Sequence, residues 1–193
     1  MNFLDLLERT KVEFFLIKEF EEWRTYLKDI KGFSIHTHDS YSFDIADFLI
    51  FLNHYGSSIV TKQEIIDLNL KTLRAWLADL TRERKYNNIY KKPLSARSRR
   101  RAISSLKNFL KFLKIKSNNF DNAFGQVLLL KSPKIPVSLP KSISEEQIDL
   151  LLTELIRITN KEWIKKRNQA IFYLLYGCGL RIDEALSLNE MHM

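Results

Sequence analysis

The chain has 193 residues, 45% of them hydrophobic and 28% charged, enough for one globular domain and part of a second. Five glycines and four prolines leave few breaks and favour helices over sheets. The single cysteine, Cys178, excludes an intrachain disulfide and suits a reducing cytoplasm, and no apolar run approaches the ~20 residues of a membrane span.

The formal net charge of +8 is concentrated. From Arg82 to Lys116 there are 13 Lys or Arg and one acid, Glu83, while the remainder is mildly acidic. Such asymmetry points to a polyanionic partner, most often nucleic acid. Asp5 and Glu8 interrupt the apolar pattern a secretion signal needs, so the sequence reads as cytoplasmic.

In chain order, Phe14, Ile17, Phe20 or Trp23, and Leu27 keep helical spacing, which predicts a helix to about Asp29 that ends near Gly32. Thr37 or Asp39 caps a second helix, with Tyr41, Ile45, Phe48, Leu49 and Leu52 on one face and a stop at Gly56. A short turn leads to a third helix over about Leu70 to Arg84, with Leu73, Trp76, Leu77 and Leu80 buried. The stretch "KYNNIYKKP" reads as a loop, broken by Asn-Asn and Pro93.

The fourth helix carries the charge. Ser95 caps it. Ala102, Ile103, Leu106, Phe109, Leu110, Phe112 and Leu113 share one arc; Arg97, Arg100, Arg101, Lys107, Lys111 and Lys114 share the opposite one. No acid stands at salt-bridge spacing within the run, so its repulsion is uncompensated locally. A row of cations of that length can follow a nucleic-acid backbone, mostly through phosphates. The expected DNA-binding residues are Arg97, Arg100, Arg101, Lys107 and Lys111.

Pro133, Pro136 and Pro140 fall within eight residues, which predicts an extended linker over 118–141. A helix restarts with Ser144 as N-cap and Gln147 at the capping-box position. Another ends at Gly177 or Gly179, and "RIDEALSL" begins a third. The expectation is a four-helix domain over 1–117 and a helical block over 142–193 too small to bury a sound core alone. Trp23, Trp76 and Trp163 are expected in the core, Cys178 is read as structural, and His36, His38 and His54 as loop histidines rather than metal ligands. Thr37 to Tyr41 could meet a phosphate at a helix N-terminus.

Three segments carry a resemblance. "LSARSRRRAISSLKNFLKFL" is similar to the last helix of the core-binding domain of the tyrosine recombinase (phage integrase) family, in particular its Xer branch. "SPKIPVSLPKSISEEQIDLLL" is similar to that family's linker and first catalytic-domain helix, and "RNQAIFYLLYGCGLRIDEALSL" to the helix pair bearing its first catalytic arginine. The resemblance implies an all-α fold: a four-helix SAM-like core-binding domain joined to an incomplete N-terminal part of a catalytic domain. It implies site-specific recombination of double-stranded DNA, with a second recombinase in a tetramer, in chromosome dimer resolution on the nucleoid. A tyrosine would form a 3′-phosphotyrosyl intermediate, with no metal, cofactor or membrane.

Only Arg181 carries over as catalytic. A guanidinium meets two oxygens of a phosphoryl transition state in fixed geometry. Glu184 would orient it, and Gly177 and Gly179 would supply the turn that aims it outward. The family's later lysine, H-x-x-R motif and nucleophilic tyrosine have no counterpart in "NEMHM", and Tyr173 and Tyr176 stand in the wrong place to replace the nucleophile. The expectation is therefore a truncated recombinase that binds DNA but does not cleave it. The alternative is a stand-alone DNA-binding module without recombinase activity.

Overall fold

Leu16, Phe20, Trp23 and Leu27 form the buried stripe of the first helix, α1 (Phe14–Thr25), and of the wider turn that continues it over Tyr26–Ile30. Phe14, placed on that stripe by spacing alone, is 78% exposed; the helix starts there, and the core-facing row begins two residues later. A computed structural model describes residues 11–56, 59–86, 89–135, 143–157 and 160–189, in two units that divide at Pro136 and Val137. Asn87, Asn88, Pro136, Pro140 and the first ten and last four residues, on which parts of the sequence reading fell, lie outside the described residues.

In the first unit, α2 (Ile35–Tyr55) is the central element, buried almost continuously from Asp44 to Leu52. Its N-cap is Ser34, whose hydroxyl accepts from the Thr37 N–H at 3.3 Å. The helix therefore begins before the caps expected at Thr37 or Asp39. The expected short turn contains a helix, α3 (Lys62–Ile66), closed by a capping box in which Thr61 and Glu64 exchange hydrogen bonds at 3.0 and 3.3 Å. Next comes α4 (Leu70–Asp79), shorter than expected. After it the chain turns into an antiparallel hairpin of β1 (Arg84–Tyr86) and β2 (Ile89–Lys91), where a loop was expected.

The long helix α5 (Ala96–Lys116) is capped by Ser95 as expected, its hydroxyl accepting from the Ser98 N–H at 3.1 Å. It buries Ala102, Ile103, Leu106, Phe109, Leu110 and Leu113 against α1 and α2. Phe109 meets the Trp23 ring edge-on at 5.2 Å, and the Trp23 indole N–H donates to Asn108 at 2.8 Å. Phe48 packs on Trp76 at 5.0 Å. The segment expected to be extended linker from residue 118 forms a 3₁₀ turn (Asn118–Phe120) and α6 (Asp121–Leu128). Phe120, Ala123, Val127 and Leu130 bury into the same core. The prolines stop helices only from Pro133 onward; Phe120 to Leu130 keep helical apolar spacing, and burial wins there.

The second unit holds α7 (Glu145–Arg157), α8 (Glu162–Tyr176) and α9 (Ile182–Leu186), with α8 packed on both neighbours. Ser144 and Gln147 form the expected capping box, at 3.1 and 3.3 Å. Trp163 is not core: it is 62% exposed, with the Arg167 guanidinium 5.4 Å above its ring. No residue of α8 is fully buried, so Trp163 has no closed core to enter. Cys178, read as structural, is likewise exposed. The architecture is all-helical apart from the one hairpin and a short bridge between Val12 and Val60 among the described residues.

Candidate nucleic-acid interface and catalytic arginine

α5 divides its charge by face. Arg97, Arg100 and Lys111 are exposed and Lys107 half-exposed, and none has an ion-pair partner among the described residues. From Arg97 to Lys111 they run about 21 Å along the helix at 1.5 Å per residue. Arg101 is different. Its Nε and Nη2 donate to the two oxygens of Asp44 on α2 at 2.9 and 3.0 Å, and the Ser105 hydroxyl donates to the same carboxylate at 2.9 Å. Burial pushes the Asp44 carboxyl up against the pull of these donors, while Asp44 raises Arg101. Arg101 thus links α5 to α2, with its charge compensated.

One turn along α2, Asp47 holds the hairpin. Arg84 Nη1 donates to it at 2.6 Å with the arginine side chain only 2% exposed, and Lys91 Nζ donates to its other oxygen. Asp79 at the end of α4 accepts from Arg82 Nη2 and Nε, at 3.0 and 3.1 Å, and from the Tyr86 hydroxyl. Burial, and then Asp79, push the Tyr86 hydroxyl well above its ordinary range. At the far end of α5, Lys116 meets Glu19 and Glu22 of α1, and Lys114 meets Asp121.

Among the described residues, six of the 13 cations between Arg82 and Lys116 are therefore paired with acids, all of them outside that segment and only Asp79 within one helical turn of its partner. Local spacing could not show this, because the partners come from α1, α2, α4 and α6. The cations without an ion pair among the described residues lie mainly on the outer face of α5 and around the hairpin, where Lys85 on β1 and Lys92 just after β2 are exposed. The hairpin was missed as an element. Its signal was Asn-Asn between two short runs of alternating character.

Around α2, Ser34 already takes the Thr37 N–H, and His38 Nδ1 lies 3.0 Å from Asp39. His54 stacks on Tyr86 at 4.7 Å. The structure does not bring His36, His38 and His54 into one cluster.

In the second unit, Arg181 is the N-cap of α9 and its side chain is 87% exposed. Glu184, one turn on, accepts from the Arg181 backbone N–H at 2.8 Å and from its Nη1 at 3.2 Å. Glu184 therefore fixes both the start of the helix and the direction of the guanidinium. Upstream, Gly179 takes φ +67°, a left-handed conformation that side chains resist. Gly177 is helical instead; a Cβ there would lie 2.9 Å from the Tyr173 carbonyl oxygen. The two glycines so serve the turn in different ways.

Residues 20–116 match the phage integrase N-terminal SAM-like domain family. The chain belongs to the phage integrase, or tyrosine recombinase, family. Among curated phage integrase relatives, it is 38% identical over 184 residues to tyrosine recombinase XerC of Rickettsia bellii, covering 95% of this chain and 55% of that one. It is 36% identical over 172 residues to XerC of Rickettsia canadensis (89% and 52%) and 34% over 173 residues to XerC of Rickettsia felis (90% and 53%). The chain spans about half the length of these relatives. No solved structure matches it significantly. The SAM-like match runs from the middle of α1 to the end of α5, the elements that build and brace the basic face. Among the described residues no helix is long and apolar enough to cross a membrane.

Proposed function

We propose that this chain is the DNA-binding portion of a Xer-like site-specific tyrosine recombinase. The observation that carries the reading is the row of Arg97, Arg100, Lys107 and Lys111, without ion-pair partners among the described residues on a helix where Arg101, Lys114 and Lys116 are paired with acids and Arg99 is turned onto the Leu94 carbonyl. Natural surfaces intersperse charges of both signs; a row kept clear of acids fits a polyanion. The four side chains meet phosphates, and Arg101 holds the helix in place beneath them. The unit over 1–117, extended by α6, is the core-binding domain, and residues 142–193 are the start of the catalytic domain.

In that second part Arg181 binds the scissile phosphate, where a guanidinium meets oxygens that gain charge in the transition state, and Glu184 positions it. The whole protein's activity on this reading is strand exchange on double-stranded DNA in the cytoplasm, within a tetramer that includes a second recombinase, in chromosome dimer resolution. This chain by itself binds DNA without cleaving it. Titration of labelled duplex over a salt series tests the first claim: log K should fall with log salt at a slope near −0.9 per phosphate contact, with roughly four contacts from α5. A nicked duplex tests the second. A covalent protein–DNA adduct would overturn the non-cleaving reading, and a flat salt response would overturn DNA binding itself.

A further inference from the structure

The hairpin offers a second charged face next to the start of α5. In β1, Arg84 and Tyr86 turn inward to Asp47 and Asp79, so the residue between them, Lys85, turns outward. Tyr90 is its direct cross-strand partner and is 58% exposed. Opposite residues of an antiparallel pair share a face, so Lys85 and Tyr90 stand side by side. Lys92, the first residue after β2, is exposed as well. The Tyr90 hydroxyl donates to Glu83, which steadies the ring.

Two observations tie this face to α5. Asp44 and Asp47, three residues apart on α2, hold Arg101 of α5 and Arg84 of the hairpin respectively. Lys92, Pro93, Leu94 and Arg101 also line one open groove with Phe43. Both elements are therefore braced on one turn of one helix, and only four residues separate β2 from α5.

We propose that the β1–β2 hairpin is a second DNA-contacting element, with Lys85 and Lys92 on phosphates and the Tyr90 ring against the sugar-phosphate backbone or an exposed base. The inference rests on the DNA-binding reading above. An aromatic ring flanked by two cations that have no ion pair among the described residues fits a nucleic acid better than an acidic protein surface, because it supplies a stacking face along with the charge.

The test uses the full chain on a labelled random-sequence duplex across a salt series, with circular dichroism to check that each variant is folded. The double variant Lys85→Gln/Lys92→Gln should weaken binding roughly tenfold and reduce the salt slope by about two. Tyr90→Ala should weaken binding severalfold and leave the slope unchanged. Glu83→Gln removes the acid beside Tyr90 and should tighten binding, a direction that misfolding cannot produce. The control is Arg100→Gln/Lys111→Gln on α5. If the control weakens binding while the hairpin variants and Glu83→Gln match the wild type, the hairpin inference is overturned and the DNA-binding reading stands. If the wild type shows no salt-dependent binding, that reading fails and takes the inference with it.

Discussion

Asp44 accepts from two nitrogens of the Arg101 guanidinium, Nε and Nη2, at 2.9 and 3.0 Å across 57 positions of sequence. This pair separates two kinds of cation on one helix. Arg100 and Arg101 are neighbours in sequence and both exposed by residue, yet one has a carboxylate partner and the other has none among the described residues. Arg101→Ala should therefore destabilise the first unit by about 1–3 kcal/mol, the cost of stripping a buried carboxylate of its charged donor. It should leave the salt slope of DNA binding unchanged. Arg100→Ala should do the reverse, with little effect on stability and a slope reduced by about one. Chemical denaturation and salt titration of both variants make the comparison. Equal slope losses would place Arg101 on the DNA.

Asp47→Ala removes the carboxylate shared by Arg84 and Lys91. Lys91 can reach water, but Arg84 stays buried near Asp79 at 3.9 Å. Breaking a buried pair by deleting one partner typically costs about 3–5 kcal/mol. A large fall in melting temperature is expected, with the hairpin amides losing hydrogen-exchange protection first. An unchanged melting temperature would show that Arg84 finds another partner.

Tyr86 gives the fold an alkaline limit. Burial and Asp79 hold its hydroxyl well above the ordinary tyrosine range. A raised pKa means the folded state keeps the proton longer than the unfolded state. The Tyr86 contribution is thus complete below the unfolded value near 10 and drains away as pH rises past it. Urea unfolding of wild type and Tyr86→Phe at pH values either side of 10 checks this. The variant should start less stable by about 1–2 kcal/mol and lose less on alkalinisation. Parallel losses in both proteins would contradict it.

Phe120 lies beyond the last helix that sequence patterning assigned to the first unit, yet it is 1% exposed inside that unit's core. Phe120→Ala should cost about 3–5 kcal/mol, as for other large core truncations. Differential scanning calorimetry reads it directly. A shift near zero would return this segment to the role of a linker.

The helices with strong signals were legible. Ser95 and the α5 arcs, the Ser144–Gln147 box, and the face of α2 through Ile45, Phe48, Leu49 and Leu52 stand where spacing and capping rules put them. What sequence reading missed was either short or decided at long range. α3 is only five residues, though Thr61 and Glu64 carried its capping box in plain view. α6 was hidden because the prolines behind it coloured the whole stretch. The partners of Arg101, Arg84 and Lys116 lie between 37 and 97 positions away, and no local window can find them. For the candidate site, the row along α5 was legible as charge; which of its members are paired was not. The turn before Arg181 was legible as two glycines, but the division of labour between them was not.

The three tryptophans divide between the units: Trp23 and Trp76 are sealed in the first, and Trp163 is open to water in the second. Each unit therefore carries its own optical label. Buried indoles emit at shorter wavelength and are shielded from iodide, while an exposed one emits further red and is quenched. Denaturation followed at the two ends of the emission band would report the melting of each unit in the intact chain, without cutting it. DNA titrations read in the same way would tell which unit responds when the duplex arrives.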